Sequence, residues 1–187
     1  MNTFQNKFEA RFYFIDDETL RRNLGDTLEY VTELTAISET YSSVVKTGFF
    51  KTVIVCTASI IEAILHFYLK KRISRTIYKN DWKYTDIKTF KVISTTPKKE
   101  IIMGYREKEV LNLEELIFND LVKTLHSENL WQPVGLENKV DDLRKKRNKI
   151  HLMTLGSLDR AYSKEMVDEI FKTAREVILM VEAGLSN

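Results

Sequence analysis

The chain has 187 residues, of which 43% are hydrophobic and 30% charged, so it is long enough to bury a core as one domain, residues 1–187, without disulfides. Its net charge of +2 excludes nucleic-acid binding through bulk charge and leaves only a local basic patch. The single Cys56 and the widely spaced His66, His126 and His151 form no ligand pattern, so no metal and no cofactor are expected.

The N-terminal residues mix charged and aromatic side chains and contain no apolar stretch of the kind found in signal peptides. The apolar run from Val53 to Leu69 is shorter than the roughly 20 residues that span a bilayer, and it contains Glu62. We therefore expect a buried helix of a soluble protein, with no membrane partner. The lone cysteine fits a reducing, cytoplasmic location.

The first long helix is predicted at about residues 17–38, where apolar side chains recur every three or four positions. Asp16 or Asp17 is placed to cap it. The segment just before it, residues 4–15, fits a helix and a strand equally well. The apolar positions of the predicted helix are Leu20, Leu24, Leu28, Val31 and Leu34.

A second helix is predicted at about residues 45–73, and it is apolar nearly all round, which places it at the centre of a bundle. Ser59, Glu62 and His66 fall on one narrow polar stripe of this helix. The stripe is either a solvent-facing seam or the polar wall of a site built with another helix. In the second case Glu62 is a candidate for contacting a substrate.

The pattern changes at about residues 74–112, where short strands and turns predict a small β-hairpin-like insertion, with its turn near Gly104. Its aromatic residues Trp82, Tyr84, Phe90 and Tyr105 form either a small core or a protein-binding surface. Further helices are predicted at about residues 112–126, 136–155 and 163–183. The predicted fold is therefore mostly all-α, a bundle of four to five helices with one insertion.

The segment from Lys139 to Gly156 carries the candidate chemistry. On a helical wheel Arg147 lies within the apolar stripe of Leu136, Val140, Leu143 and Ile150, with Arg144 and His151 flanking it and Asn148 just beyond. Lys145 points to solvent and is a secondary candidate for contacting a substrate. An Arg inside an apolar stripe either pairs with a core carboxylate such as Glu62 or serves a function.

This segment, LRKKRNKIHL followed by a long helix, resembles the HEPN superfamily of higher eukaryote and prokaryote nucleotide-binding domains. The hallmark of that family is an Arg separated from a His by four to six residues near the start of a late bundle helix. Arg144 and His151 have six residues between them, whereas the Arg147-Asn148 pair has three residues before His151. The sequence leaves open which of the two arginines corresponds to the family's.

The resemblance implies a metal-independent endoribonuclease that acts as a homodimer, with the motif helices of two copies forming one cleft. His151 would move the proton of the RNA 2′-OH, and an Arg would hold the scissile phosphate and stabilise its developing charge. Asn148 would orient the phosphate or the imidazole. The products would be a 2′,3′-cyclic phosphate and a 5′-OH end. Members of the family commonly serve as toxins or in phage defence, which implies an antitoxin or other protein partner.

Two other functions remain open from the sequence. The first is an inactive HEPN-like module that binds a nucleotide, RNA or protein, since a fold does not fix an activity. The second is a structural dimerisation protein that makes no contact with nucleic acid. If an arginine and His151 point together into a shared cleft, the nuclease is favoured. If His151 is buried and bonded only within its own core, the binding module is favoured.

Overall fold

The computed structural model describes residues 7–78, 83–150 and 162–186. Most of these residues lie in α-helices, so the mostly helical fold predicted from the sequence is confirmed. The chain divides into a helical unit, Met1–Arg72 with Glu114–Asn187, and a small β unit, Ile73–Leu113. The assignment of residues 1–187 to one domain stays a prediction.

The chain enters the helical unit through a short 3-10 helix, Glu9–Phe12, and α1, Glu18–Ser38. The described part of the segment that fitted both a helix and a strand, residues 7–15, therefore contains a single helical turn. Asp17 caps α1, since its Oδ1 accepts a hydrogen bond from the Leu20 amide at 2.9 Å. A buried ion pair fixes the entry turn on α1: Arg21 Nε lies 3.0 Å from Glu9 Oε1.

The second helix, α2, covers Ser43–Arg72 and packs against α1, the last helix and the two shorter helices. By length and composition it is apolar enough to cross a membrane, but 61% of its most apolar window is buried inside the protein. Such burial is typical of the core helix of a soluble protein. Its side chains Ile60, Ile61, Ile64 and Phe67 are all buried, in agreement with a helix that is apolar nearly all round.

The shorter helices are α3, Phe118–Ser127, and α4, Leu136–Asn148. The predicted start of α3 near Asn112 is wrong, because residues Leu113–Glu115 form one 3-10 turn and the backbone is extended at Ile117. The predicted end of α4 near residue 155 is also wrong. The helix tightens after Asn148, where the Ile150 amide bonds to the Arg147 carbonyl at 3.2 Å, and three basic residues in the last turn favour an end there.

The last helix, α5, covers Lys164–Leu185 and begins where the sequence predicts. Ser163 caps it, since its Oγ accepts a hydrogen bond from the Met166 amide at 3.4 Å. The buried face of α5 packs along α2. The described core of the helical unit is therefore built around α2.

The small unit contains β1, Lys83–Thr95, and β2, Lys98–Glu107, paired as an antiparallel ribbon. An antiparallel bridge between Tyr78 and Val110 lies outside the two strands. The prediction of a turn near Gly104 is wrong, because Gly104 lies within β2, where an added Cβ would come within 2.9 Å of the Thr85 carbonyl oxygen. The glycine permits a close approach of two strands and does not form a turn.

Candidate functional site

Helix α4 carries the residues singled out in the sequence. Leu136, Val140 and Leu143 are buried, so they form the stripe that packs the helix on the bundle. Arg144 and Arg147 lie at the margin of that stripe and are half-buried, while Asn148 is exposed. The helix therefore holds both guanidinium groups at the boundary between the core and solvent.

Arg147 is held by Glu62 of α2. Its Nη1 donates a hydrogen bond to Glu62 Oε2 at 2.9 Å, and the two side chains are 32% and 21% exposed. This is the core carboxylate that the sequence offered as one explanation for an Arg in the apolar stripe. A guanidinium carries five N–H donors, so the pairing with Glu62 leaves donors for a ligand.

Arg144 is held by Asp141, one turn earlier on the same helix. Its Nε donates to Asp141 Oδ1 at 2.8 Å, and its Nη2 lies 2.7 Å from the same oxygen. Lys145 Nζ lies 2.7 Å from Asp141 Oδ2. Hydrogen bonding by Lys145 and then by Arg144 lowers the pKa of Asp141, and the carboxylate raises the pKa of Lys145.

Both arginines open onto one pocket of about 380 Å3. Glu62 and Asn148 contribute to the same wall, so four of the predicted residues meet here. The opposite wall comes from the residues that lead into α3. Its full lining is Glu62, Leu116, Ile117, Phe118, Asn119, Arg144, Arg147 and Asn148.

The start of α3 faces this pocket without a capping side chain. Ile117 occupies the N-cap position and carries no group that accepts a hydrogen bond. Among the described residues, no acceptor is bonded to the backbone amides of Phe118 and Asn119. Free amides and the positive end of the helix dipole favour an anion, as the two guanidinium groups do. The pocket therefore has the chemistry of a site for a phosphate or carboxylate.

His151 lies outside the described residues, which stop at Ile150 in this part of the chain. The helical wheel placed His151 beside the arginines on the assumption that the helix continued to residue 155. Because α4 ends at Asn148, that argument no longer fixes the position of His151. In the sequence His151 follows Asn148, which lines the pocket, by three residues.

The other candidates lie elsewhere. Lys145 is exposed, is paired with Asp141 and does not line the pocket. The polar stripe of α2 is split: Ser59 is exposed, Glu62 enters the arginine pocket, and His66 lines a different pocket beside Asp16. The stripe is therefore not a single polar wall.

Sequence reasoning missed Ile117, Phe118 and Asn119. They lie in the middle of a helix that the sequence predicts, whereas in the structure a helix begins at Phe118 and all three residues line the pocket. No group of three or more His, Cys, Asp or Glu side chains with metal-site geometry occurs among the described residues.

Comparison with known proteins gives no relative. No family model, curated protein or solved structure matches the chain.

Proposed function

We propose that this protein is a metal-independent endoribonuclease of the HEPN type, with a HEPN-like helical bundle as its fold. The observation that carries the proposal is the convergence of Arg144, Arg147 and the uncapped start of α3 on one pocket. Each of these groups favours an anion, and a scissile phosphodiester is the anion that the motif implies.

In this mechanism RNA supplies its own nucleophile, the 2′-OH. His151 takes the proton from that hydroxyl or delivers one to the leaving 5′-oxygen. The arginines hold the phosphate and stabilise the charge that develops on its oxygens. Asn148, exposed at the end of α4, orients the phosphate or the imidazole. No metal enters any step.

The active form we propose is a homodimer in which the ends of two α4 helices share one cleft. The exposed end of α4 supports this, because Asn148 and Lys149 lie at the surface, where a second copy can approach. A cytoplasmic toxin or phage-defence role, with an antitoxin or other protein partner, follows from the family resemblance. Sedimentation should show dimers at tens of micromolar, a range in which weak interfaces bind.

The test is cleavage of single-stranded RNA in EDTA. We expect a 2′,3′-cyclic phosphate and a 5′-OH at each cut, and no cutting where the scissile nucleotide is 2′-deoxy. His151→Ala should slow cleavage by about 10²–10⁴-fold, the usual contribution of a general acid or base. The matched control is His126→Ala, because His126 is exposed, pairs with Glu137 at 2.7 Å and does not line the pocket.

If wild-type protein leaves RNA intact, or if His151→Ala cuts as well as wild type, the nuclease proposal fails. An inactive HEPN-like binding module then becomes the better function. The ion pairs of both arginines favour that second function, since each guanidinium already has a structural partner.

A further inference from the structure

The ribbon of β1 and β2 concentrates the positive charge of the protein. Residues 83–107 contain six basic and three acidic side chains, an excess of three positive charges against +2 for the whole chain. A two-stranded ribbon has no core of its own, and its large side chains are about half-exposed or more. Its surface is therefore available to a partner.

The pairing register sorts the side chains of the ribbon into two faces. Strand β2 alternates regularly, so Lys99, Ile101, Met103 and Tyr105 share one face. Residues directly opposite in an antiparallel pair lie on the same face. The partners of these four on β1 are, in order, Ser94, Lys91, Lys88 and Thr85. The same alternation adds the end pair of Glu107 and Lys83 to this side. This side of the ribbon, with those ten residues, is termed the lysine face.

Bulges in β1 create the lysine face. Lys88 and Lys91 are three residues apart, and in a regular strand of period two they would point to opposite sides. The register slips by one residue between Thr89 and Lys91, with similar slips between Thr85 and Lys88 and between Val92 and Ser94. Each slip adds one residue to β1, so every third residue returns to the same face.

Lys88, Lys91 and Lys99 are the lysines of this face that could hold a polyanion. Among the described residues, no carboxylate forms an ion pair with Lys88, Lys91 or Lys99. Lys88 lies opposite Met103, Lys91 lies opposite Ile101, and Lys99 lies opposite Ser94. These three pairs are successive rows of the ribbon, about 7 Å apart along it. That spacing is close to the separation of successive phosphates along an extended single strand of nucleic acid.

One exposed aromatic ring completes the surface. Tyr105 is 72% exposed and lies on the lysine face, in the row next to Lys88 and Met103. A ring beside a row of cations is the arrangement that binds single strands, with phosphates on the cations and a base stacked on the ring. On the opposite face Arg106 is already engaged, since its guanidinium carbon lies 5.6 Å from the ring centroid of Tyr84.

We infer that the lysine face binds single-stranded RNA along its backbone, without sequence preference. A second copy of the ribbon is disfavoured, because two such faces would repel each other. An acidic protein would pair with the lysines, but it has no bases that would stack on the exposed ring of Tyr105. The choice of RNA as the polyanion rests on the proposed function, whereas the binding itself does not require cleavage.

The experiment measures the affinity of the full chain for a labelled single strand of about 12 nucleotides, a length within the usual site sizes. All its 2′-hydroxyls are methylated, so the strand cannot be cut, and binding is measured whether or not the protein is a nuclease. We expect the triple variant Lys88→Gln, Lys91→Gln, Lys99→Gln to reduce the slope of log affinity against log salt by about 2. Each phosphate contact on a single strand contributes about 0.7.

The matched control is the triple variant Lys7→Gln, Lys123→Gln, Lys172→Gln, which removes three exposed lysines of the helical unit and has the same net charge. It should keep the wild-type slope. Tyr105→Leu keeps the lysines, and should weaken binding about tenfold through lost stacking with an unchanged slope. Circular dichroism checks that all three variants fold.

Three results would overturn the inference. The first is an equal reduction of the salt slope in both triple variants, which would mean that only the net charge of the protein controls binding. The second is that the triple variant of Lys88, Lys91 and Lys99 and the variant Tyr105→Leu bind RNA with the affinity and salt slope of the wild type. The third is displacement of the RNA by poly-L-glutamate at equal charge concentration, which would assign the face to an acidic protein. RNA binding without any cleavage would support the lysine face and still refute the nuclease.

Discussion

Arg147 and Glu62, which are 85 residues apart in the chain, join two helices, with 2.9 Å between Nη1 and Oε2. The pair links α4 to the central helix α2 and sets the direction of a guanidinium that opens onto the pocket. One contact therefore serves both the packing of α4 and the geometry of the candidate site.

The energy of this pair is expected to be small. Its side chains are 32% and 21% exposed, so solvent screens the attraction, and a double-mutant cycle with Glu62→Ala and Arg147→Ala should give a coupling of about 0.2–1 kcal/mol. The matched comparison is Arg21 with Glu9, whose side chains are 7% and 2% exposed. Removing either member of that buried pair should cost about 3–5 kcal/mol. Chemical denaturation measures the free energy of unfolding of each variant. A coupling energy between Glu62 and Arg147 as large as the cost of truncating Arg21 or Glu9 would contradict this ranking by burial.

The helical framework could be predicted from the sequence because it depends on local periodicity. The spacing of apolar residues in α1 and the all-round apolar character of α2 both predicted their elements closely. The cap at Asp17, one of two neighbouring candidates, was also predicted, since a short polar side chain there precedes the helical pattern.

The remaining features depend on contacts that are distant in the chain. The break at Ile117 interrupts a stretch with helical periodicity, so the apolar pattern of that stretch did not predict the break. Sequence alone did not choose between the two explanations for Arg147 either, because the position of Glu62 on a neighbouring helix is a tertiary fact. The lysine face depends on three register slips in β1, which no period-two pattern predicts.

The close approach of α1 to the entry turn should make Gly25 intolerant of a side chain. A Cβ at Gly25 would lie 2.8 Å from both the Cα and the amide nitrogen of Glu9, and backbone cannot move aside cheaply. We expect Gly25→Ala to destabilise the protein by about 1–3 kcal/mol. The control is Gly48→Ala in α2, where nothing lies within 4 Å, and where the gain in helix propensity should stabilise by about 0.5–1 kcal/mol. Equal changes in melting temperature for Gly25→Ala and Gly48→Ala would contradict the close contact between Gly25 and Glu9.

Asp141 should contribute stability that depends on pH. Its pKa is lowered, first by the hydrogen bond from Lys145 and then by Arg144, so the folded state favours the ionised carboxylate. The contribution is fully present above the unfolded pKa of about 3.9 and is lost as pH falls through the lowered value. The melting-temperature difference between wild type and Asp141→Asn should therefore be constant near neutral pH and shrink as the pH falls through the lowered pKa. A difference that persists in acid would mean that the side-chain shape, and not its charge, matters.

Arg144 and Lys145 provide the sharpest test of the pocket, because both pair with Asp141 and only Arg144 lines the pocket. If the guanidinium stabilises the charge that develops on a scissile phosphate, Arg144→Ala should reduce RNA cleavage by about 10²–10³-fold. Lys145→Ala removes the neighbouring cation and should leave cleavage within a few-fold of wild type. Initial rates with a defined single-stranded RNA in EDTA measure both, and thermal melts exclude loss of fold. Equal losses in the two variants would show that the charge of the helix end, and not the pocket, controls cleavage, and would remove Arg144 from the mechanism.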